Sequence, residues 1–269
     1  MNRRALAHGF ALGALMLALG GCSLHRELAG AAAPFSLKVI ESQLAENPRH
    51  QGLLLAATRG FTQYAYAFVQ QEAEELEEHD AARAAVLEER ARLLYRRARD
   101  FGLRGLAGAG GLARLQAGDV PLLYWTAASS AALIALQKGD PESLAELPVV
   151  EAMLRRALEL DESFDRGALH TFMIAYEGGR PGAGTQAFER ARRHFARAME
   201  LSAGTHPAPL LALAESVSVP QQRRAEFEAL LGQALRIDAA QAGADRLAIV
   251  VAQHRARWLL SRRDRLFSD

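Results

Sequence analysis

Among the side chains of this 269-residue chain that carry a charged or hydrogen-bonding tip inside a largely apolar run, five are candidates for a binding site: Arg59, Tyr124, Trp125, His170 and Glu177. Arg59 sits in GLLLAATRGFTQYAYAFVQ, with Gln63 four residues on and therefore on the same helical face. An arginine buried there needs a carboxylate beside it or an anionic ligand, and the internal salt bridge is the plainer reading. Tyr124 and Trp125 open LLYWTAASSAAL, where large rings with polar tips can line a pocket or fill a core, and Ser129 and Ser130 follow. His170 and Glu177 lie seven residues apart in ALHTFMIAYEGG, two helical turns, so they point roughly the same way. A metal would need a third ligand, and no HExxH spacing occurs; packing with a hydrogen bond is the default for His170, and no metal is expected. The glycine cluster Gly108–Gly111 lacks the Lys and Ser/Thr of a phosphate loop, and no Gly-x-Ser-x-Gly elbow exists. Acidic EAEELEEHD, Glu72 to Asp80, reads as a solvated helix end. The expectation is a non-enzymatic protein without a cofactor.

The chain has a single cysteine, Cys22. It follows Arg3 and Arg4, an apolar run from Gly9 to Leu19, and the small pair Gly20-Gly21. The run matches a signal h-region of roughly 7–15 residues and is too short for a span of about 20. Leu19-Gly20-Gly21-Cys22 resembles a bacterial lipobox. This predicts a signal peptide over residues 1–21, lipidation of Cys22, and a membrane tether over residues 22–34 ahead of a domain at 35–269. Each buried methylene contributes about 0.8 kcal/mol, so several acyl chains anchor stably. Ser23 in place of Asp leans toward the outer membrane, facing the periplasm. Cleavage would remove two arginines and shift the formal charge from +1 to −1. A near-neutral chain with no free thiol argues against nucleic acid, disulfides and cysteine chemistry.

The elements that must position these residues are all helices. Ala and Leu abound, β-branched residues are few, and Gly and Pro fall between periodic runs. Helices are expected at Leu37–Leu44, Gln51–Glu78, Ala82–Phe101 after an Asp80 cap, and Asp119–Gln137. Gly102–Gly118 reads as a glycine-rich break. More are expected at Val149–Leu160, Arg166–Tyr176, Gln186–Leu201, Pro207–Val217, Pro220–Ile237 and Asp245–Ser261. Glu215 and Ser216 fall at a helix end, and Ser218 to Gln221 has capping-box spacing.

Four helices end in one phrase: YRRARDFG, LRRALELD, FARAMELS and LGQALRID. Each places a small residue at the same point, Ala98, Ala157, Ala198 and Ala234, where a neighbouring helix can approach closely. The phrase resembles the end of the second helix of a tetratricopeptide repeat, whose period is about 34 residues. Here the intervals are 59, 41 and 36 residues, so the repeats are irregular. The expected fold is an all-α, degenerate tetratricopeptide-repeat-like solenoid. Leu37–Leu44 and the helix through Trp258 would be its terminal caps.

Three segments in order resemble the TatT-type lipoproteins, the T components associated with TRAP (tripartite ATP-independent periplasmic) transporters. They are DVPLLYWTAASSAALIAL, LPVVEAMLRRALELDESFDRGALHTFMIAYEGGRP and PLLALAESVSVPQQRRAEFEALLGQALRID. The resemblance covers nearly the whole mature chain, and the lipobox agrees with it. It implies a helical-repeat fold with a central channel or cleft and association with a periplasmic TRAP-type substrate-binding protein. It also implies homo-oligomers, a trimer among them, and a small organic ligand, hydrophobic ones included. Two rival readings stand: a repeat scaffold for envelope protein assembly, with no small-molecule ligand, and a metal-dependent hydrolase using His170 and Glu177.

Overall fold

A computed structural model describes residues 24–268 apart from Lys138 and Pro181. Among the described residues every regular element is helical. We number them α1 (Leu24–Glu46), α2 (Gln51–Tyr64), α3 (Gln71–Leu76), α4 (Ala81–Leu106), α5 (Val120–Leu136), α6 (Pro141–Leu144) and α7 (Leu147–Asp161). There follow α8 (Phe164–Gly179), α9 (Thr185–Leu201), α10 (Ala208–Leu213), α11 (Arg224–Leu235), α12 (Arg246–Ser261) and α13 (Arg263–Leu266). Two π turns interrupt this series. Ala65–Gln70 joins α2 to α3, and Ala214–Ser218 extends α10.

Local chemistry explains most boundaries. Asp80 caps α4 by accepting from the Arg83 amide at 3.0 Å, as its sequence predicts. The His50 ring does the same for α2, accepting from the Leu53 amide at 3.2 Å. Asp119 instead turns backward and accepts from the Gln116 amide at 2.9 Å, closing the short turn before α5. The four phrase alanines, Ala98, Ala157, Ala198 and Ala234, are all fully buried. The aligned register therefore marks real contact points.

Three expectations are corrected. The stretch read as a tether is helical from Leu24, and the boundary drawn at residue 35 lies inside α1. Ala-rich sequence favours helix, and a Cβ at Gly30 would come within 2.8 Å of the Phe68 ring, so this helix lies against the body of the protein. The glycine break begins late. Gly102 and Gly105 belong to α4, and only Ala107 to Asp119 forms short 3-10 turns. Gly102 is there because α5 crosses so closely that a Cβ would stand 2.1 Å from Thr126 Oγ1. Finally, α11 starts at Arg224, not Pro220, because Gln222 takes a left-handed conformation (φ 53°) and ends the preceding turn. Ser218 is not a cap; its hydroxyl donates to Glu226 at 2.9 Å.

The helices pack largely in chain order, from α1 on α2 through α4, α5, α7, α8, α9, α10 and α11 to α12. Three apolar clusters fill these seams. One is centred on Leu54, Phe61 and Tyr95, one on Leu123, Leu154 and Leu169, and one on Leu210, Phe227 and Leu231. The path then returns to its start, because α12 touches α1. The two helices expected to cap opposite ends thus meet each other. None of the three clusters joins α12 to α1, α2 or α3. Polar pairs do so instead: Arg255 to Glu74 and His254 to Glu75 at 2.6 Å link α12 to α3, and Arg262 to Glu78 at 2.6 Å lies just past the ends of both helices.

Candidate functional site

Arg59 is on an exposed stripe of α2 and has no ion pair among the described residues. Its guanidinium instead lies over the Trp125 ring, 5.7 Å from the centroid. The salt bridge expected of a buried arginine is absent because this arginine is not buried. Tyr124 meets Trp125 edge-on at 4.9 Å and also contacts Phe164 and Phe172. Desolvation pushes the Tyr124 phenol well above its usual range; Asp165 adds to this and Arg59 opposes it. Asp165, Arg166 and Gly167 all have positive φ, a left-handed run at the start of α8. Arg59, Tyr124 and Trp125, from α2 and α5, therefore form one aromatic and cationic patch with Asp165 at its edge. Ser129 and Ser130 take no part in it: both hydroxyls donate to the Thr126 carbonyl, at 3.0 and 2.8 Å.

His170 and Glu177 share a face, as their spacing predicts, but that face is the seam between α8 and α9. His170 is 8% exposed and its Nδ1 lies 2.9 Å from His194 Nδ1. With His170 Nε2 3.3 Å from Glu162 Oε2, the neutral pair is satisfied when His170 carries its proton on Nε2 and His194 on Nδ1. Burial lowers the pKa of both rings, that of His194 to about 4, where His170 adds to the effect. Glu177 is clamped by Arg190 at 2.8 Å and Arg180 at 3.2 Å. Burial opposes its charge, but these arginines hold its carboxyl below the ordinary range. No group of three or more His, Cys, Asp and Glu able to hold a metal occurs among the described residues.

Sequence reasoning missed a second convergence. Tyr66, in the first π turn, keeps 43% of its surface open, yet its phenol is pushed up to about 12. Desolvation is the main cause, with Arg255, Glu215, Glu74 and Gln71 all close enough to act on it. Arg255 is only 12% exposed in its side chain and joins Glu74 to Glu215, the latter at 2.7 Å and in the second π turn. Both π turns thus face one cluster built from residues about 180 positions apart. Helix α8 comes so near the second π turn that a Cβ on Gly178 would stand 2.3 Å from the Ser216 carbonyl oxygen. Only the unusual apolar run around Tyr66 hinted at this, since a π turn has no sequence signature of its own.

A separate cleft of about 510 Å³ opens between the start of α8 and the loop before α12, lined by Arg166, His206, Asp238 and Asp245 among others. It contains none of the five sequence candidates. Arg166 and Asp245 neutralise each other at 2.5 Å, and Asp238 caps the short turn after it, so the charged groups of this cleft are already engaged with one another.

A model of the TRAP transporter T component (TAtT) matches residues 25–267. The chain belongs to that family. A TRAP T component is an accessory part of a transporter of the bacterial envelope, which agrees with the resemblance seen in the three segments. An uncharacterized protein of Treponema pallidum (strain Nichols) is 29% identical over 260 residues, covering 90% of this chain and 80% of that protein. The match to the T-component model takes in α1 from its second residue, so the helix read as a tether lies within the family's own span. In this T component both convergences are contributed by the same stripe of α2 and its π turn.

Proposed function

We propose that this T component holds a small organic ligand on the face lined by Arg59, Trp125 and Tyr66. It presents that ligand to a periplasmic TRAP-type substrate-binding protein. One observation carries the reading: an arginine with no ion pair among the described residues stacks on a tryptophan, on the helix that also turns Tyr66 toward Arg255 and Glu215. A scaffold helix has no need of such a surface. The apolar body of a ligand would lie on the rings while the polar groups fix its orientation. His170 and Glu177 would act at one remove, holding α8 against α9. The helical-repeat solenoid and its central cleft, the homo-oligomer and the outer-membrane location belong to the same proposal.

Native mass spectrometry of the protein purified from its own host tests it. A small co-purifying mass, lost in Arg59→Ala and Trp125→Ala, is the expected result. A bare protein, or one carrying only a peptide, would move the reading to a scaffold. Cys22 lies outside the described residues, and the lipid anchor is proposed from the lipobox alone. Cys22→Ser should release the protein from membranes without detergent, and retention of the variant would remove the anchor from the proposal.

A further inference from the structure

We propose that the cleft between the start of α8 and the loop before α12 is a second binding site. It takes an uncharged molecule whose apolar body lies on Ile237 and Ile249 and whose hydroxyl meets the His206 ring. The site is separate from the Arg59 face and does not depend on it.

Hydrogen-bond accounting leads there. The cleft measures about 510 Å³, inside the range of roughly 300–1,000 Å³ that small-molecule sites occupy. Ile237, Ala242 and Ile249 give it an apolar floor. The polar side chains on its lining are engaged, with one exception. Arg166 pairs with Asp245 at 2.5 Å. Asp238 accepts from the Ala240 amide at 2.8 Å and from Gln241 Nε2 at 2.9 Å. The Thr205 hydroxyl donates to the Ser202 carbonyl at 2.7 Å. The exception is His206, a half-buried ring that faces the cleft without a hydrogen bond among the described residues.

The backbone around the cleft is also unusual. Four non-glycine residues among those described have positive φ, and three of them, Asp165, Arg166 and Ala203, lie in or beside this lining. Gly204, also on the lining, follows with φ 68°. L side chains adopt this conformation at a cost, and such costs collect at binding sites.

Charge selects the class. Burial lowers the pKa of His206, Arg166 adds to this, and Asp245 and Asp165 oppose it, so the ring is neutral at pH 7. A neutral imidazole has one N–H donor and one acceptor nitrogen, and a hydroxyl can meet either. The lining has two carboxylates to one guanidinium, which repels an anion. A cation would have to compete with Arg166 and Gln241 for carboxylates that already have donors.

Acylation by diethyl pyrocarbonate, followed at His206 by peptide mass spectrometry, tests this in full-length protein in nanodiscs. A free, neutral ring should react. Benzyl alcohol at about 10 mM should slow the reaction at least about threefold, as a Kd of about 5 mM or tighter requires. Benzoate and benzyltrimethylammonium, with the same ring and opposite charges, should protect less. An unreactive His206, no protection by benzyl alcohol, or equal protection by either charged probe would each overturn the proposal. Arg59→Ala should leave the protection unchanged. If Arg59→Ala removes it, the probe sits on the Arg59 face and this site falls alone; if the co-purifying mass is absent but His206 is protected, the Arg59 reading falls and this site stands.

Discussion

At the scale of single residues, the decisive property is whether a polar group has found a partner. The five sequence candidates divide on that criterion. His170 and Glu177 are engaged within the fold, whereas Arg59 has no ion pair among the described residues and faces the Trp125 ring. The histidine pair yields a prediction with a definite sign. The folded pKa of His194 lies near 4, below the unfolded value of about 6.5, so the neutral pair is favoured by the fold. Its stabilisation is complete above about pH 6.5 and is lost as pH falls toward 4, because protonation places charge on rings held away from water and, on His170, would also put hydrogens on both facing Nδ1 atoms. The loss should be on the order of 2 kcal/mol for the pair. Urea unfolding at pH 7 and pH 5 should show a larger drop for the native protein than for His194→Asn, and equal drops would refute the assignment. The i to i+7 spacing made the shared face of His170 and Glu177 legible, but their partners on α9 come from another run and were not.

At the scale of elements, small residues set how closely helices cross. Ala98, Ala157, Ala198 and Ala234 were legible because one phrase recurs, and all four lie at buried contact points. Gly102 and Gly105 were misread as a break because glycine serves both loops and close crossings, and sequence alone does not separate these uses. Gly102→Ala should destabilise the protein by about 1–3 kcal/mol through overpacking, although alanine is the better helix former by roughly 1 kcal/mol. Adding Thr126→Ala should recover most of that loss, since Thr126 Oγ1 is the atom a Cβ would strike. Thermal unfolding of both variants decides it. If Gly102→Ala melts at or above the native temperature, the helices do not cross there as described. The π turns escaped notice for a different reason: one extra residue in a helical turn leaves no mark on composition, yet it re-aims Tyr66, Gln71 and Glu215.

At the scale of the whole molecule, the closing seam differs from all others. Apolar clusters hold consecutive helices together, while α12 meets α3 through Arg255 and His254, with Arg262 and Glu78 paired just past their ends. Arg255→Met would leave Glu74 and Glu215 without their shared cation, which should cost ~3–5 kcal/mol. Hydrogen exchange should then quicken in α3 and α12 before it does in α4 and α5. Uniform acceleration would mean that the seam is not a separate unit. The sequence by itself determined the helical class, the amphipathic faces and the family, because periodicity, caps and ordered segments are local properties of the chain. It also marked Arg59, Tyr124 and Trp125, whose types stand out within their own helices. Only the tertiary structure decided that α1 and α12 meet, that Arg59 faces a ring rather than a carboxylate, and that Arg255 joins Glu74 to Glu215. Each of these depends on contacts between residues tens to nearly two hundred positions apart, and such pairings leave no trace in local spacing.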